Sequence, residues 1–305
     1  MKKQQRGYAR QDRVQEQIMR DLADLTRTGL KDPRAGFITI TEVELTRDYS
    51  HATVWYTVMD EKTREVTAEA LDNAKGHLRS ELAKRIKQQY GIDPLVHLTC
   101  LNSSKFEICE LLEELKEAEI DSILALRGDK NPAVEEKQDF RYASDLVKFI
   151  RQYGDFSISG ACYPECHTES KNKIEDIAYL KEKVDSGVQH LISQLFFDNN
   201  AFYSFQEHIQ IAGMHVPVEA GIMPVINKAQ IERMVTLCGA SLPEKFSRVM
   251  HKYEDNKEAL FDAGMAYAIN QIVDLLAHDV DGIHIYTMNN PIVAKRICDG
   301  IKNLI

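Results

Sequence analysis

The sequence predicts an α/β protein whose larger part is a parallel barrel of the (β/α)8 TIM-barrel type, preceded by a small α+β segment. Two observations carry the barrel. Short apolar runs recur at about residues 95–99, 123–127, 158–162, 191–197, 217–222 and 283–287. Helical stretches fill most gaps between them, with start-to-start intervals of 28, 35, 33 and 26 residues and then one of 66. Repeated βα units of about 30 residues build a parallel sheet, and a barrel is the common solution at this size. A third observation separates the α+β segment. Met1–Tyr90 holds 17 Lys+Arg against 14 Asp+Glu and no cysteine, whereas Gly91–Ile305 holds 21 against 33 and all six cysteines. Such asymmetry points to parts with different partners.

The 305 residues, 44% hydrophobic and 28% charged, suit a folded chain of one large or two smaller domains. No apolar run reaches the roughly 18 residues of a membrane span. The basic start, MKKQQRGYARQDR, lacks a following apolar region and does not read as a secretory signal. Six irregularly spaced cysteines fit free thiols in a reducing cytoplasm, which is the expected location.

Taken in order, Gln11–Thr28 reads as a helix, because Val14, Ile18, Leu22 and Leu25 form one apolar stripe. Gly29 and the turn-like Lys31–Arg34 end it. Phe37–Val43 and Ala52–Val58 are rich in β-branched and aromatic residues and read as strands. Their short connection excludes a parallel crossover and predicts an antiparallel hairpin. A second helical stretch covers about Arg64–Gln89, with Leu71, Leu78, Leu82 and Ile86 on one face and Gly76 where a kink belongs.

This α-β-β-α order suggests a small RNA-binding domain of the KH type. The segments RQDRVQEQIMRDLADL, GLKDPRAGFITITEVELTRDYSHATVWYTV and LDNAKGHLRSELAKRI resemble bacterial ribosome-binding factor A over about residues 6–86. The resemblance implies a KH-like fold with Ala74-Lys75-Gly76 at its kink. It also implies binding to the small ribosomal subunit and its 16S-type rRNA through residues 1–88. Arg6, Arg10, Arg13, Lys75, Arg79, Lys84 and Arg85 are the candidate phosphate contacts. A solvated helix face would look the same from charge alone.

In the second part, helices are expected at Phe106–Ala118, Ala143–Tyr153, Ile174–Asp185 and Phe202–Ala212. The long gap should hold an Asn227-led helix, the stretch Leu242–Met250 and the helix Lys257–Ala277. A barrel does its chemistry at the C-terminal ends of its strands. Several strands here end in polar groups: Thr99-Cys100, Arg127-Gly128-Asp129, Tyr163-Pro164-Glu165, Gln194 and Tyr286-Thr287.

These ends resemble bacterial methylenetetrahydrofolate reductase. The residues that carry the likeness are HLTC at 97–100, LALRGD at 124–129, YASDL at 142–146, YPECH at 163–167, KEKVDSG at 181–187, QLFFD at 194–198, GIMPV at 221–225 and HIYTMN at 284–289, covering about Ile86 to the C-terminus. The resemblance implies FAD at the barrel mouth and its reduction by NADH or NADPH. Hydride then passes to 5,10-methylenetetrahydrofolate, giving 5-methyltetrahydrofolate. By position the flavin contacts would be His97, Arg127, Gly128, Asp129, Ala143, Tyr163, His167, Asp176 and Lys183. Asp129, Gln194, Gln230 and Tyr286 would meet the folate, and Asp129 is the catalytic candidate. Arg127 and Lys183 suit a pyrophosphate, and His167 and Asp176 suit hydroxyls. Relatives of the reductase are oligomeric, so a homo-oligomer is expected.

The same comparison sets expectations about what is lacking. The sequence contains no F-E-F-F-P-P motif, the family's source of a general-acid glutamate, and no V-T-Y-G-type segment. Six of eight barrel strands are therefore expected, with folate reduction impaired. Asn290 stands where relatives often carry an arginine. The expected division is 1–88 and 89–305, and the two resemblances meet inside one helix, as in a recombined chain. Cys162, Cys166 and His167 offer too few ligands for a closed zinc site, and no metal is expected. Neither G-x-G-x-x-G nor a P-loop occurs.

Overall fold

The computed structural model describes residues 19–20, 23–26, 38–45, 52–58, 66–67, 71, 80–81, 83–85, 87–88, 91–128, 137–226, 235, 238–288 and 290–305, with side chains except at 42–45 and 52–55. The chain divides into two compact units: Met1–Pro94 with Glu110–Ile120, and Leu95–Cys109 with Asp121–Ile305. The boundary expected at 88–89 lies just before the Pro94–Leu95 division.

In the first unit, β1 (Ile38–Leu45) and β2 (Ala52–Val58) pair antiparallel, Ile38 opposite Val58 and Leu45 opposite Ala52. The register slips between Ile40 and Glu42, which leaves Thr41 as the extra residue of a bulge. The described positions at 19–20 and 23–26, and those from 66 to 88, are helical, inside the two stretches the apolar periodicity predicts. Leu25, Ile40 and Ala83 are buried, as are Thr67 and Ser80. Ser80 Oγ donates to Glu114 Oε2 at 2.7 Å, and Lys87 Nζ donates to the Glu119 carbonyl at 2.6 Å. The turn at Lys31–Arg34, the kink at Ala74–Gly76, and Arg6, Arg10, Arg13, Lys75 and Arg79 lie outside the described residues.

The second unit contains a six-stranded parallel sheet in sequential order: β3 (Val96–Thr99), β4 (Ser122–Leu126), β5 (Ser157–Cys162), β6 (His190–Ser193), β7 (Val218–Ile222) and β8 (Gly282–Ile285). These coincide with the six predicted apolar runs. Helix α1 (Lys105–Glu117) is divided, with residues 105–109 in this unit and 110–117 in the first; the other described helices of this unit are α2 (Ala143–Tyr153), α3 (Lys173–Asp185), α4 (Asn199–Ile211), α5 (Glu244–Tyr253), α6 (Lys257–Ala277) and α7 (Pro291–Ile301). The Asn227-led helix falls mainly outside the described residues. No described helix is long and apolar enough to cross a membrane.

Side-chain oxygens start the helices. Asn172, Asp198, Asn256 and Asn290 each accept a backbone N–H in the first turn of α3, α4, α6 and α7. Asn290 is thereby committed to starting α7, with Pro291 following in the position that needs no N–H. α1 opens on a capping box: Ser104 N donates to Glu107 Oε2 at 2.6 Å, and Glu107 N donates back to Ser104 Oγ at 3.2 Å.

The register gives the sheet two unlike faces. Leu98, Ala125, Leu191 and Val218 share one side with Ile123, Ile158, Ala220 and Ile222, and all are buried. The other face carries His97, Leu124, Ser159 and His190 at one level, and Thr99, Leu126, Ala161, Ile192 and Glu219 two residues higher. That face mixes apolar and polar groups, as the inner face of a barrel-type sheet does when a site lies above it.

Beside β6 and β7, an apolar cluster of Leu195, Phe197, Met223, Val225, Phe246, Met250 and Leu260 supports the strand ends. Phe246 stacks on Phe197 at 4.5 Å and meets Tyr267 edge-on at 4.8 Å. Tyr267 OH and Gln271 Nε2 donate to the carbonyls of Phe197 and Phe196, so the backbone after β6 is tied to α6.

Candidate active site

The C-terminal ends of β3, β4 and β5 are joined by backbone and thiol contacts. Cys100 N donates to the carbonyls of Leu126 and Arg127, and Cys100 Sγ approaches the Arg127 carbonyl at 3.7 Å and the Tyr142 carbonyl at 3.6 Å. Burial raises the Cys100 thiol to about 11, so it is a neutral packing group. Tyr142 precedes α2, and Asp145 accepts the N–H groups of Arg141 and Tyr142, each at 3.0 Å. Ala143 is thus the buried first residue of α2. Gly128 follows Arg127 with φ +87°, where a side chain would crowd Thr99.

The expected cation pair takes two different forms. Arg127 grips Glu169 as a fork, NH1 to Oε2 at 2.5 Å and NH2 to Oε1 at 3.0 Å. Lys183 reaches from α3 to donate to the Ala161 carbonyl at 2.7 Å. Burial pushes the Lys183 ammonium down, opposed by the Cys162 thiol and the Asp176 carboxylate nearby.

His167 lies between them. Its ring stands edge-on to Tyr163 at 4.5 Å, and its Nδ1 accepts from Glu169 N at 3.1 Å. Burial lowers its pKa, and charges on Glu169, Arg127, Asp176 and Lys183 all act on it. Asp176 Oδ1 accepts from Ser170 Oγ at 2.8 Å. The loop that delivers these groups is strained and braced. Cys166 has φ +124°, and the neighbouring Glu165 carboxylate accepts Ser241 N with both oxygens at 3.0 Å.

The structure therefore brings Arg127, Tyr163, His167, Asp176 and Lys183 together, with Gly128 adjoining. His97 lies on the same sheet face as Leu124, exposed on β3. Gln194 follows β6, and its Oε1 accepts from Leu195 N at 2.9 Å, which turns the amide NH2 the other way. Tyr286 is committed differently from the expectation of a free substrate contact: its hydroxyl donates to the Ser193 carbonyl at 2.8 Å. Burial pushes that phenol up. Asp129 and Gln230 lie outside the described residues. In the first unit, Arg85 pairs with Asp24 at 3.0 Å and Lys84 with Glu81 at 3.6 Å.

Sequence reasoning missed Glu169, Ser159, His190 and Glu219, and it named Glu165 only as a polar strand end. Glu169 sits two residues beyond the YPECH segment, and only the fold shows that it meets Arg127. Glu219 did leave a signal, a carboxylate inside the apolar run Val218–Ile222.

A parallel α/β sheet with cations, an aromatic–imidazole pair and an amide at its strand ends defines an enzyme domain of the barrel class. The chain belongs to the methylenetetrahydrofolate reductase family, whose profile matches residues 52–302, and its N-terminal part to the ribosome-binding factor A family, whose profile matches residues 10–92. By family it is an oxidoreductase of the methylenetetrahydrofolate reductase type. The reductase match begins well before the expected Ile86, and the two matches share residues 52–92.

A 5,10-methylenetetrahydrofolate reductase of Pectobacterium carotovorum is 33% identical over 217 residues, 71% of this chain and 72% of the relative. Methylenetetrahydrofolate reductase 2 of Saccharomyces cerevisiae is 36% identical over 234 residues, 74% of this chain and 39% of the relative. Ribosome-binding factor A of Neisseria gonorrhoeae is 78% identical over 87 residues, 28% of this chain and 71% of the relative. Among solved structures, a Clostridium thermocellum protein that binds two copies of 5-methyl-5,6,7,8-tetrahydrofolic acid superposes with a TM-score of 0.48 at 14% identity, over 72% of this chain and 77% of its own.

Proposed function

We propose that residues 89–305 form a flavoprotein reductase domain that takes FAD at the strand ends, NADH or NADPH as reductant and 5,10-methylenetetrahydrofolate as substrate. The observation that carries this reading is the convergence of Arg127, Lys183, Asp176 and Tyr163 around His167. The donor set fits the cofactor. Arg127 and Lys183 offer positive charge to a pyrophosphate. Asp176 and His167 offer polar atoms to hydroxyls. When bound, FAD would supply the hydride carrier that joins the nicotinamide to the folate.

The chain's own residues would divide the remaining tasks. Glu169 holds the Arg127 fork in place until an anion displaces it. The Gln194 amide, whose oxygen accepts from Leu195 N, would offer its NH2 to a pterin or nicotinamide amide. Asp129 would accept from the donor edge of the pterin, and Gln230 and Tyr286 would border it. His97 and Ala143 would line the flavin. Without the F-E-F-F-P-P glutamate, folate reduction would run about 10²–10⁴-fold slower than with a placed general acid.

Flavin loading tests the reading. Purified chain incubated with FAD and desalted should retain a flavin absorbance band that NADH or NADPH bleaches. Folded protein that retains no flavin would refute it. Full-rate folate reduction would refute the claim about the glutamate.

A second reading rests on the 78% identity of the N-terminal 87-residue match. Residues 1–88 would dock on the small ribosomal subunit through phosphate contacts, independently of the reductase part. Co-sedimentation with purified subunits at low salt, lost as salt rises, is the expected result. No co-sedimentation at low salt would remove this reading. Cytoplasmic location and a homo-oligomeric state accompany both.

A further inference from the structure

Four polar side chains climb the inner face of the sheet in a diagonal, one strand at a time. Ser159 on β5 and His190 on β6 are register partners, and Ser159 Oγ lies 3.2 Å from His190 Nδ1. Glu219 on β7 pairs with Ile192, two residues above His190. His284 on β8 lies two residues above Gly282, the partner of Glu219. Ser159 and His190 sit at one level, and each of the two later steps rises about 6.6 Å along the strands and crosses about 4.8 Å between them, which long side chains can span. They do so here: His190 Nε2 is 3.5 Å from Glu219 Oε1, and His284 Nδ1 is 3.5 Å from Glu219 Oε2.

The upper end of this ladder reaches the strand ends. His284 pairs with Gly221, and continuing the β6–β7 register brings Gln194 to the same level. Gly221 lies between them, and a side chain there would collide with the Ser193 carbonyl and the Tyr286 ring. Tyr286 stands one step higher, its ring edge-on to His284 at 4.8 Å, and bounds the site from above.

We propose that His284 holds and delivers a proton at the strand-end site, and that Glu219, backed by His190 and Ser159, is the positioning residue that orients it. This rests on the reductase reading. A carboxylate facing Nδ1 keeps the proton on that nitrogen and turns Nε2 toward the mouth. It also compensates the imidazolium when both nitrogens carry protons. The hydrogen bond from His284 lowers the Glu219 carboxyl against the opposing effect of burial, so Glu219 stays the anion of the set.

Conversion of a bridging methylene to a methyl group adds one hydride to carbon and one proton to the nitrogen whose bond to that carbon breaks. A bound FAD would supply the hydride. His284 gives its Nε2 proton to the nitrogen, and the imidazole regains a proton from solvent. The ladder thus offers a proton source in a chain whose sequence lacks the family's acidic motif. Besides Glu219 and His190, the titratable groups near this end are Tyr286, Tyr163, Cys162 and Cys238, of which Cys162 is held neutral by burial.

Two readouts on the full chain test this. Long-range ¹H–¹⁵N correlation spectra of ¹⁵N-histidine protein, with His284 assigned through H284N, should show the Nδ1–H tautomer in the wild type. Glu219→Ala should switch it to Nε2–H, and His190→Gln should not. A wild-type Nε2–H tautomer, or no change in Glu219→Ala, would overturn the orientation. In FAD-loaded protein, the folate rate divided by the rate with an artificial quinone should fall about 10²-fold in Glu219→Ala and His284→Asn, with loss of the alkaline limb of the pH profile. An unchanged ratio would overturn proton delivery even where flavin binds normally. Failure to bind flavin at all would instead refute the reductase reading, and the tautomer experiment would still decide the role of Glu219.

Discussion

Arg127 at the end of β4 and Glu169 in the loop after β5 meet as a two-bonded fork, at 2.5 and 3.0 Å. The guanidinium, planar by its own delocalisation, is held by a carboxylate that a phosphate group could replace, since both present paired oxygens. Glu169 is 56% exposed, so the pair contributes little to stability, within about 1 kcal/mol. Its consequence is for ligand binding.

Glu169→Gln should therefore tighten binding of inorganic pyrophosphate and of FAD by a few fold while leaving the melting temperature nearly unchanged. Arg127→Ala should weaken both by about tenfold or more, equivalent to about 1.4 kcal/mol. Isothermal titration of the two variants checks this. Weaker binding in Glu169→Gln would show that the carboxylate supports the site.

Gly264 sits inside α6, where alanine ordinarily favours a helix by about 1 kcal/mol. Here an added Cβ would fall 1.7 Å from the Val225 carbonyl oxygen, a backbone atom that cannot swing away. Gly264→Ala should reverse the usual sign and destabilise by about 1–3 kcal/mol, read as a lower thermal midpoint. A midpoint equal to or above wild type would show that α6 can shift.

Glu107 gives a pH dependence. Burial would raise its carboxyl, but hydrogen bonds from Lys137 and Ser104 outweigh it and hold the group below its ordinary 4.5. A depressed folded-state pKa stabilises above the unfolded value, and that stability is lost as pH falls through the folded value. Glu107→Gln should be less stable than wild type at pH 7, and the gap should narrow as pH falls below 4.5 and through the lower folded-state value. Urea titrations from pH 7 downward measure it. A gap that does not change with pH would assign the effect to packing.

The cysteines should separate by environment. Burial raises Cys162 to about 12 and Cys100 to about 11, whereas Cys298 is exposed. Iodoacetamide at pH 8 should label Cys298 first and reach Cys100 and Cys162 only after denaturation, as peptide mass spectrometry would report. Early labelling of Cys162 would contradict its burial.

Much of the fold was legible because it rests on local pattern. Ala143–Tyr153 and Lys257–Ala277 are the helices the periodicity marks, and all six parallel strands fall on the predicted apolar runs. The hairpin was legible from a connection too short for a crossover. The Arg127–Glu169 fork was not, because 42 residues separate the partners and no spacing rule joins them. Tyr286 was placed near the site, yet its hydroxyl goes to Ser193 O, a partner that only strand pairing supplies.

By itself, the sequence determined the order and type of elements and the division of charge and cysteine, which depend on side-chain periodicity and composition, properties of neighbours along the chain. Both families were legible in it through the resemblance of whole segments. Only the tertiary structure decided which polar groups meet. It set Arg127 against Glu169, gathered charges around His167, and ran Ser159, His190, Glu219 and His284 up four adjacent strands. Parallel register places residues from distant βα units at one level, and no local rule encodes which side chains then come within bonding distance.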